Sequence, residues 1–142
     1  VHELRRKIVS FFGGGARPGL LLTIVSFGYK YGLPVDADLV VDCRFLPNPH
    51  WVPELRPMTG RDAPVRDYVL GRPGAKEFLD AYEEVLGVVA DGYVREGKNY
   101  AVLAVGCTGG KHRSVAIAEQ LAVRLRERGM EVQVTHRDVG RE

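Results

Sequence analysis

The sequence predicts an α/β domain with a mostly parallel sheet flanked by helices. Short apolar runs of strand length alternate along the chain with segments whose apolar residues recur at helical spacing, which is typical of parallel strands joined by helices. Polar and glycine residues follow directly on two of the apolar runs, as at the carboxyl edge of such sheets, where ligands bind. A chain of 142 residues is long enough for one such domain with a buried core.

Four segments have the pattern of strands. Residues 20–26 and 100–106 are nearly continuous apolar runs, which indicates strands that are buried on both faces. Residues 39–45 begin equally apolar but end in polar side chains, and residues 131–135 alternate between apolar and polar positions. We expect the last of these strands to lie at or near an edge of the sheet.

Three segments have the periodicity of helices that bury one face. These segments are residues 2–12, 75–94 and 113–128. Gly129 is expected to end the last helix. The chain divides into a short helix and linker over residues 1–19 and a domain over residues 20–142. Residues 46–74 hold six of the eight prolines and are expected to form a long loop, of a length that is usually functional or disordered.

Composition and motifs exclude several classes of protein. A net charge of +2 is too small to indicate nucleic-acid binding by itself, and no apolar run approaches the roughly 20 residues of a membrane span. The two cysteines, Cys43 and Cys107, lack the spacing of a disulfide framework or a zinc site, and no metal site is expected. Because no signal peptide is recognisable, we expect a cytoplasmic location and no membrane partner.

The most informative motif is CTGGKHRS, which joins the predicted strand 100–106 to the predicted helix 113–128. Backbone N–H groups and the positive end of the helix dipole favour an anion at such a junction, and Gly109 and Gly110 permit close approach. A tight turn without a ligand is the alternative, but four consecutive polar or basic residues favour phosphate binding. The candidate binding residues are Cys107, Thr108, Gly109, Gly110, Lys111, His112, Arg113 and Ser114.

The same motif also fits a catalytic hypothesis. Cys107 and Arg113, followed by Ser114, match the C-x5-R-[ST] spacing of protein tyrosine phosphatases, in which a thiolate attacks phosphorus while the arginine holds the phosphate oxygens. Gly106 stands where those enzymes have histidine, and no aspartate can be assigned as the general acid. A cysteine-dependent phosphatase therefore stays an alternative to a Cys107 that only lines a pocket.

A second group of polar residues lies in DCRFLPNPHW, residues 42–51. Its carboxylate, guanidinium, amide and imidazole lie on a chain that prolines hold extended, and together they could frame the hydroxyl groups of a sugar. Trp51 is expected to cover the core rather than to stack on a ligand. The candidate ligand-binding residues of this group are Asp42, Arg44 and His50.

Three stretches, SFGYKYGLPVDADLVVDCRFLPNPHW, LRPMTG and GCTGGKHRSVAIAEQLA, resemble the C-terminal domain of the RapZ family of bacterial RNase adapter and nucleotide-binding proteins. The resemblance runs from about residue 20 to residue 137. Family members usually carry an N-terminal P-loop domain that binds and hydrolyses ATP or GTP. This chain has no G-x-x-x-x-G-K-[ST] motif, so the resemblance implies that this domain and its nucleotide are absent from it.

The resemblance implies a sensor domain that has no catalytic activity and no cofactor of its own. Its ligand is an amino-sugar phosphate, glucosamine-6-phosphate in the enterobacterial members, held by Asp42, His50 and most of CTGGKHRS. Arg72 matches a further basic residue of the pocket. The family fold is likened to part of a sugar-phosphate kinase, which agrees with the α/β prediction.

In the enterobacterial members this domain also binds small regulatory RNA and presents it to ribonuclease E. Lys30, Arg137 and Arg141 are the candidate RNA-binding residues of this chain. The chain ends in THRDVGRE, where acidic residues interrupt a tail that is rich in lysine and arginine in those members, so we expect RNA binding to be weaker or absent. A regulatory protein partner and a homo-oligomer are further expectations.

Overall fold

A computed structural model describes residues 19–141, and the predicted helix 2–12 lies outside these residues. Within them, all strand pairs of a four-stranded sheet are parallel, in the order β2-β3-β1-β4. The strands are β1 (Leu21–Gly28), β2 (Leu39–Asp42), β3 (Tyr100–Cys107) and β4 (Glu131–His136). The predicted α/β class is confirmed, and so is the edge position of the last strand.

Three α-helices lie in the described part of the chain. They are α1 (Ala63–Leu70), α2 (Ala75–Arg95) and α3 (Arg113–Glu127). The second and third agree with the predicted helices to within one residue at each end. None of the helices in this part is both long and apolar enough to cross a membrane.

Helix α1 lies where a long loop was predicted, so that prediction is wrong for residues 63–70. The proline content of the segment concealed the helix, although Pro64 lies in its first turn, where proline is tolerated because those N–H groups have no partner within the helix. Asp62 precedes it at the N-cap, and Val65 and Val69, one helical turn apart, are fully buried. Asp62 followed by a proline in the first turn is a start signal that the sequence carries.

The hydrophobic core lies on one face of the sheet. Ile24 of β1 pairs in register with Leu103 of β3, and both belong to a cluster that includes buried residues of all three helices. Ile117, Leu121 and Leu125 of α3 follow at spacings of four residues and are fully buried. Each such side chain contributes about 1.5–3 kcal/mol on burial, so α3 is a principal support of the sheet.

The carboxyl ends of three adjacent strands meet at one edge of the sheet. Gly28 at the end of β1 pairs with Cys107 at the end of β3, and Asp42 at the end of β2 pairs with Gly106. The ladder extends one residue further, because Cys43 donates its N–H to the Gly106 carbonyl at 2.7 Å. The two polar motifs of the sequence are therefore neighbours in the fold.

Candidate functional site

The glycine loop, residues 107–112, runs from β3 into α3 and packs directly on the end of β1. A Cβ atom at Gly28 would lie 2.4 Å from the carbonyl carbon of Gly109, so the two backbones touch. Gly110 has a φ of 75°, in the left-handed region that favours glycine. The loop conformation therefore depends on Gly110 within the loop and on Gly28 in the strand beneath it.

Gly60, from the LRPMTG stretch, supports the loop from another side. Its N–H donates to the Lys111 carbonyl at 2.9 Å, and a Cβ atom at Gly60 would lie 2.3 Å from the His112 carbonyl oxygen. The segment before α1 thus packs backbone to backbone against the start of α3. This contact gives the LRPMTG stretch a structural role at the site.

Arg113, the first residue of α3, joins the two polar motifs. It is only 4% exposed, and its Nη1 donates to the carbonyl oxygens of Arg44 (3.0 Å) and Leu46 (2.8 Å). Its Nη2 donates to Thr108 Oγ1 at 3.3 Å, whereas its buried Nε has no hydrogen-bond partner among the described residues. The edge of the guanidinium formed by Nε and Nη2 therefore retains donor capacity.

A cavity of about 420 Å³ opens beside this arginine. It is lined by Lys30, Asn48, His50, Trp51, Arg56, Cys107, Thr108, Gly109, Lys111, His112 and Arg113. Most of the predicted ligand-binding residues of the glycine loop, together with His50, are brought together here. Four of the lining residues carry a positive charge, and no carboxylate is among them.

Asp42 and Arg44 lie near the cavity but outside its lining. Their side chains form an ion pair with each other, in which Arg44 Nε and Nη2 donate to the carboxylate at 2.8–3.1 Å. The guanidinium also stacks on the ring of Tyr29, 3.8 Å from its centre. Hydrogen bonds from Arg44 lower the pKa of Asp42, so its carboxylate is charged at neutral pH.

Three further predicted residues are not part of the cavity lining. Gly110 is buried against β1, and Ser114 is buried beneath the loop, where its Oγ accepts a hydrogen bond from Cys107 Sγ at 3.2 Å. Arg72 donates from Nε to the Tyr68 carbonyl at 3.0 Å, and its guanidinium lies over the Tyr68 ring. Gly110 and Ser114 therefore contribute to the shape of the loop, while Arg72 points its charge elsewhere.

The two histidines of the cavity differ in environment. His112 is buried, its Nε2 lies 3.2 Å from the carbonyl oxygen of Arg56, and burial lowers its pKa. Since a carbonyl can only accept, Nε2 carries the hydrogen, and the ring is neutral at neutral pH. His50 is exposed, and its backbone is held by Asn48 Oδ1, which accepts from its N–H at 3.1 Å.

Four residues of the lining were not predicted as ligand-binding residues, namely Lys30, Asn48, Trp51 and Arg56, and the last two have informative positions. Arg56 donates from Nε to the His50 carbonyl at 2.7 Å and fixes the loop that carries this histidine. Trp51 was expected to cover the core, but it is 74% exposed and lines the cavity. Arg56 lies within LRPMTG, so the resemblance of that stretch was the available signal.

Among the described residues, this site has only part of the catalytic set of a cysteine-dependent phosphatase. Cys107 has its thiol hydrogen-bonded to Ser114, and no aspartate or glutamate is among the described residues that line the cavity. The second cysteine, Cys43, is buried, and burial raises the pKa of its thiol well above the ordinary value. Across residues 19–141, no group of three or more histidine, cysteine, aspartate or glutamate side chains is arranged to hold a metal ion.

The predicted RNA-binding residues are divided between two places. Lys30 lies in the lining of the cavity. Arg137 and Arg141 both form ion pairs with the buried Asp138, so their charges are partly neutralised. RNA binding stays a prediction from the sequence, as do the homo-oligomer and the regulatory protein partner.

Comparison with known proteins identifies the family of the chain. Residues 20–140 match the family model described as the RapZ C-terminal domain. The whole chain is 68% identical to 48% of a nucleotide-binding protein of Thermobifida fusca, and 69% identical to 47% of one of Acidothermus cellulolyticus. A nucleotide-binding protein of Streptomyces coelicolor is 66% identical, again over 48% of its length.

The chain therefore spans about half the length of the curated relatives it matches. Their names state nucleotide binding and no enzymatic activity. The match of the family model covers the sheet, the three helices, and both polar motifs described above. The chain belongs to the RapZ C-terminal domain family.

Proposed function

We propose that this chain is a non-catalytic sensor domain that binds a sugar phosphate, and that glucosamine-6-phosphate, the amino-sugar phosphate implied by the family resemblance, is one such ligand. The observation that carries this proposal is Arg113 at the wall of the cavity, whose buried Nε has no partner within residues 19–141. Its Nη1 is already fixed by two carbonyl oxygens, so the guanidinium is held in place before any ligand arrives. A buried cationic donor of this kind is stabilised by an anion.

The phosphate would lie between Arg113 and the glycine loop. Nε and Nη2 of an arginine lie on one edge and can bind two oxygens of a phosphate together. Within the described residues, the backbone N–H groups of residues 109–112 have no hydrogen-bond acceptor, and no side chain caps the start of α3. These donors and the positive end of the helix dipole favour the same anion.

The rest of the cavity suits a small polar ring. Its volume of about 420 Å³ lies within the range of about 300–1,000 Å³ typical of small-molecule sites. Asn48 and His50 offer hydrogen-bonding groups for hydroxyls on the side contributed by the DCRFLPNPHW stretch. The ligand would therefore bridge the two motifs that Arg113 already joins.

The proposed sensor role rests on the hydrogen bonds through which Arg113 connects the site to neighbouring elements. Ligand bound at Arg113 would stiffen contacts among the ends of β2 and β3 and the start of α3. We propose that this change is passed to the nucleotide-binding part that the full-length relatives carry, with ATP or GTP as its nucleotide. Catalysis is not proposed, because the described part of the cavity lining offers no carboxylate to act as a general acid beside Cys107.

Isothermal titration calorimetry with glucosamine-6-phosphate tests the proposal. Arg113→Lys keeps the charge but loses the planar edge, and we expect it to weaken binding by about tenfold or more. Arg95→Lys is the matched control, because Arg95 is an exposed arginine of α2 that lies outside the cavity lining. Absence of binding by the wild-type chain, or equal binding by the folded Arg113→Lys variant, would contradict the proposal.

A further inference from the structure

We propose that Trp51 is the specificity-determining residue of this site and that its indole face receives the ring of the ligand. The inference rests on the proposed function, since it assumes that the phosphate of the same ligand lies at Arg113. It assigns to Trp51 the distinction between a cyclic sugar phosphate and a phosphate without a ring. The class of ligand that follows is a pyranose or a similar ring with one apolar face.

The position of Trp51 is the first observation. The residue is 74% exposed and lines the cavity on the side formed by the DCRFLPNPHW stretch, whereas Arg113 and the glycine loop line it from α3 and β3. Its ring meets the His50 ring edge to face, with centres 5.1 Å apart and planes at 87°. An exposed tryptophan alone indicates nothing, but this one lines a cavity beside Arg113, whose Nε has no partner among the described residues, and so provides an apolar surface at a polar site.

The backbone beneath the ring is fixed. Trp51 donates its N–H to the Asn48 carbonyl at 3.2 Å, and the Asn48 side chain accepts the N–H of His50. Arg56 holds the His50 carbonyl from the other side at 2.7 Å. Since a tryptophan side chain has only two rotatable bonds, little freedom is lost when a ligand orders it.

The charges of the cavity favour recognition of the sugar ring over recognition of an amino group on the sugar. Of the lining residues that the structure describes, four are cationic and none is acidic, so an ammonium group on the sugar has no carboxylate partner among them. The C–H groups on one face of a pyranose are weakly positive and suit the negative face of the indole. Recognition of the ring therefore falls to Trp51 and the polar groups of Asn48 and His50.

The fluorescence of the chain gives a direct test. Trp51 is the only tryptophan of the sequence, so emission excited at the long-wavelength edge of the absorption band, where the six tyrosines absorb little, reports on this position alone. We expect glucosamine-6-phosphate to change the emission in a saturable way and inorganic phosphate to leave it nearly unchanged. Equal changes with both anions, or saturable binding of the sugar phosphate by calorimetry without any change in emission, would overturn the inference.

Two substitutions distinguish recognition of the sugar by the Trp51 ring from a purely structural role of this residue. By calorimetry, we expect Trp51→Ala to weaken the binding of glucosamine-6-phosphate by about tenfold, and Trp51→Phe to weaken it by much less. The binding of inorganic phosphate should be unaffected by either substitution. Tyr100→Ala removes a half-exposed aromatic residue at the opposite end of β3 and is the control. Sugar-phosphate binding that is unchanged in Trp51→Ala, or an equal loss for both anions, overturns this inference alone. Failure of the wild-type chain to bind the sugar phosphate overturns the proposed function as well.

Discussion

Gly28 donates its backbone N–H to Oδ2 of Asp138 at 2.8 Å and so joins the end of β1 to the segment that follows β4. Asp138 is fully buried, and its carboxylate also accepts hydrogen bonds from Arg137. On its other side, Gly28 touches the backbone of Gly109 and Gly110. The C-terminal segment therefore supports the glycine loop through Gly28, although Asp138 does not line the cavity.

Gly28→Ala should disrupt the glycine loop. The added methyl would lie 2.4–2.8 Å from backbone atoms of Gly109 and Gly110, which cannot move as a flexible side chain could. We expect the free energy of unfolding to fall by about 2 kcal/mol and the affinity for glucosamine-6-phosphate to fall with it. Urea denaturation and calorimetry measure the two effects. Gly140→Ala is the control, because nothing lies within 4 Å of a Cβ there, and equal effects of both substitutions would refute the packing argument.

Asp138→Asn should remove part of the acid sensitivity of folding. Burial alone would raise the pKa of Asp138, but hydrogen bonds from Arg137 and from the Gly28 N–H outweigh it and hold the pKa below its ordinary value. A depressed carboxyl pKa stabilises the fold at neutral pH, and this contribution is lost as the pH falls below about 4. The substitution should cost about 2 kcal/mol at pH 7 and less at pH 3.

Urea denaturation at the two pH values measures this difference. The exposed Asp36, changed to asparagine, provides the matched control because its carboxylate should contribute little at either pH. A cost of Asp138→Asn that is the same at pH 3 and pH 7 would mean that the carboxylate charge does not stabilise the fold.

Most of the fold could be predicted from the sequence because its strands are short apolar runs bounded by polar residues. The runs that became β1 and β3 are buried almost throughout, so little in them competes with the strand pattern. Helix α1 was missed because it has only eight residues and lies in a proline-rich segment, although Asp62 and Pro64 mark its start. Its stability comes from Val65 and Val69, which are buried against distant parts of the chain.

The candidate site was predictable where its residues are consecutive and not where they meet across the fold. CTGGKHRS could be identified as a candidate phosphate-binding loop because one turn supplies its potential donors. The support that Gly28 and Gly60 give to that loop depends on backbone contacts between distant segments. The pairing of Asp42 with Arg44 likewise depends on side-chain geometry, and it directs a predicted sugar-binding carboxylate to a neighbouring guanidinium.

His112 should make the fold less stable in mild acid. Burial lowers its pKa, and the nearby Lys111 and His50 act in the same direction, so the folded state disfavours the protonated ring. Since the unfolded chain takes up a proton near pH 6.5, stability is fully present above that pH and is lost as the pH falls below it. We expect the loss between pH 7.5 and pH 5.5 to be smaller in His112→Gln than in the wild type, measured by urea denaturation. His50→Gln changes an exposed histidine of the same cavity, and a comparable reduction there would argue against burial as the cause.

Glucose-6-phosphate should bind nearly as well as glucosamine-6-phosphate. The two differ in one amino group, and the lining within residues 19–141 has four cationic residues and no carboxylate to pair with an ammonium. We expect the two dissociation constants, measured by calorimetry at one ionic strength, to agree to within about tenfold, because an ammonium without a charged partner adds little affinity. A stronger preference for the amino sugar would require a carboxylate to reach the ligand, and Asp42 would first have to leave Arg44. Asp42→Asn distinguishes the two cases, since it should abolish a preference that depends on this carboxylate and should leave the affinities almost unchanged if Arg44 remains its partner.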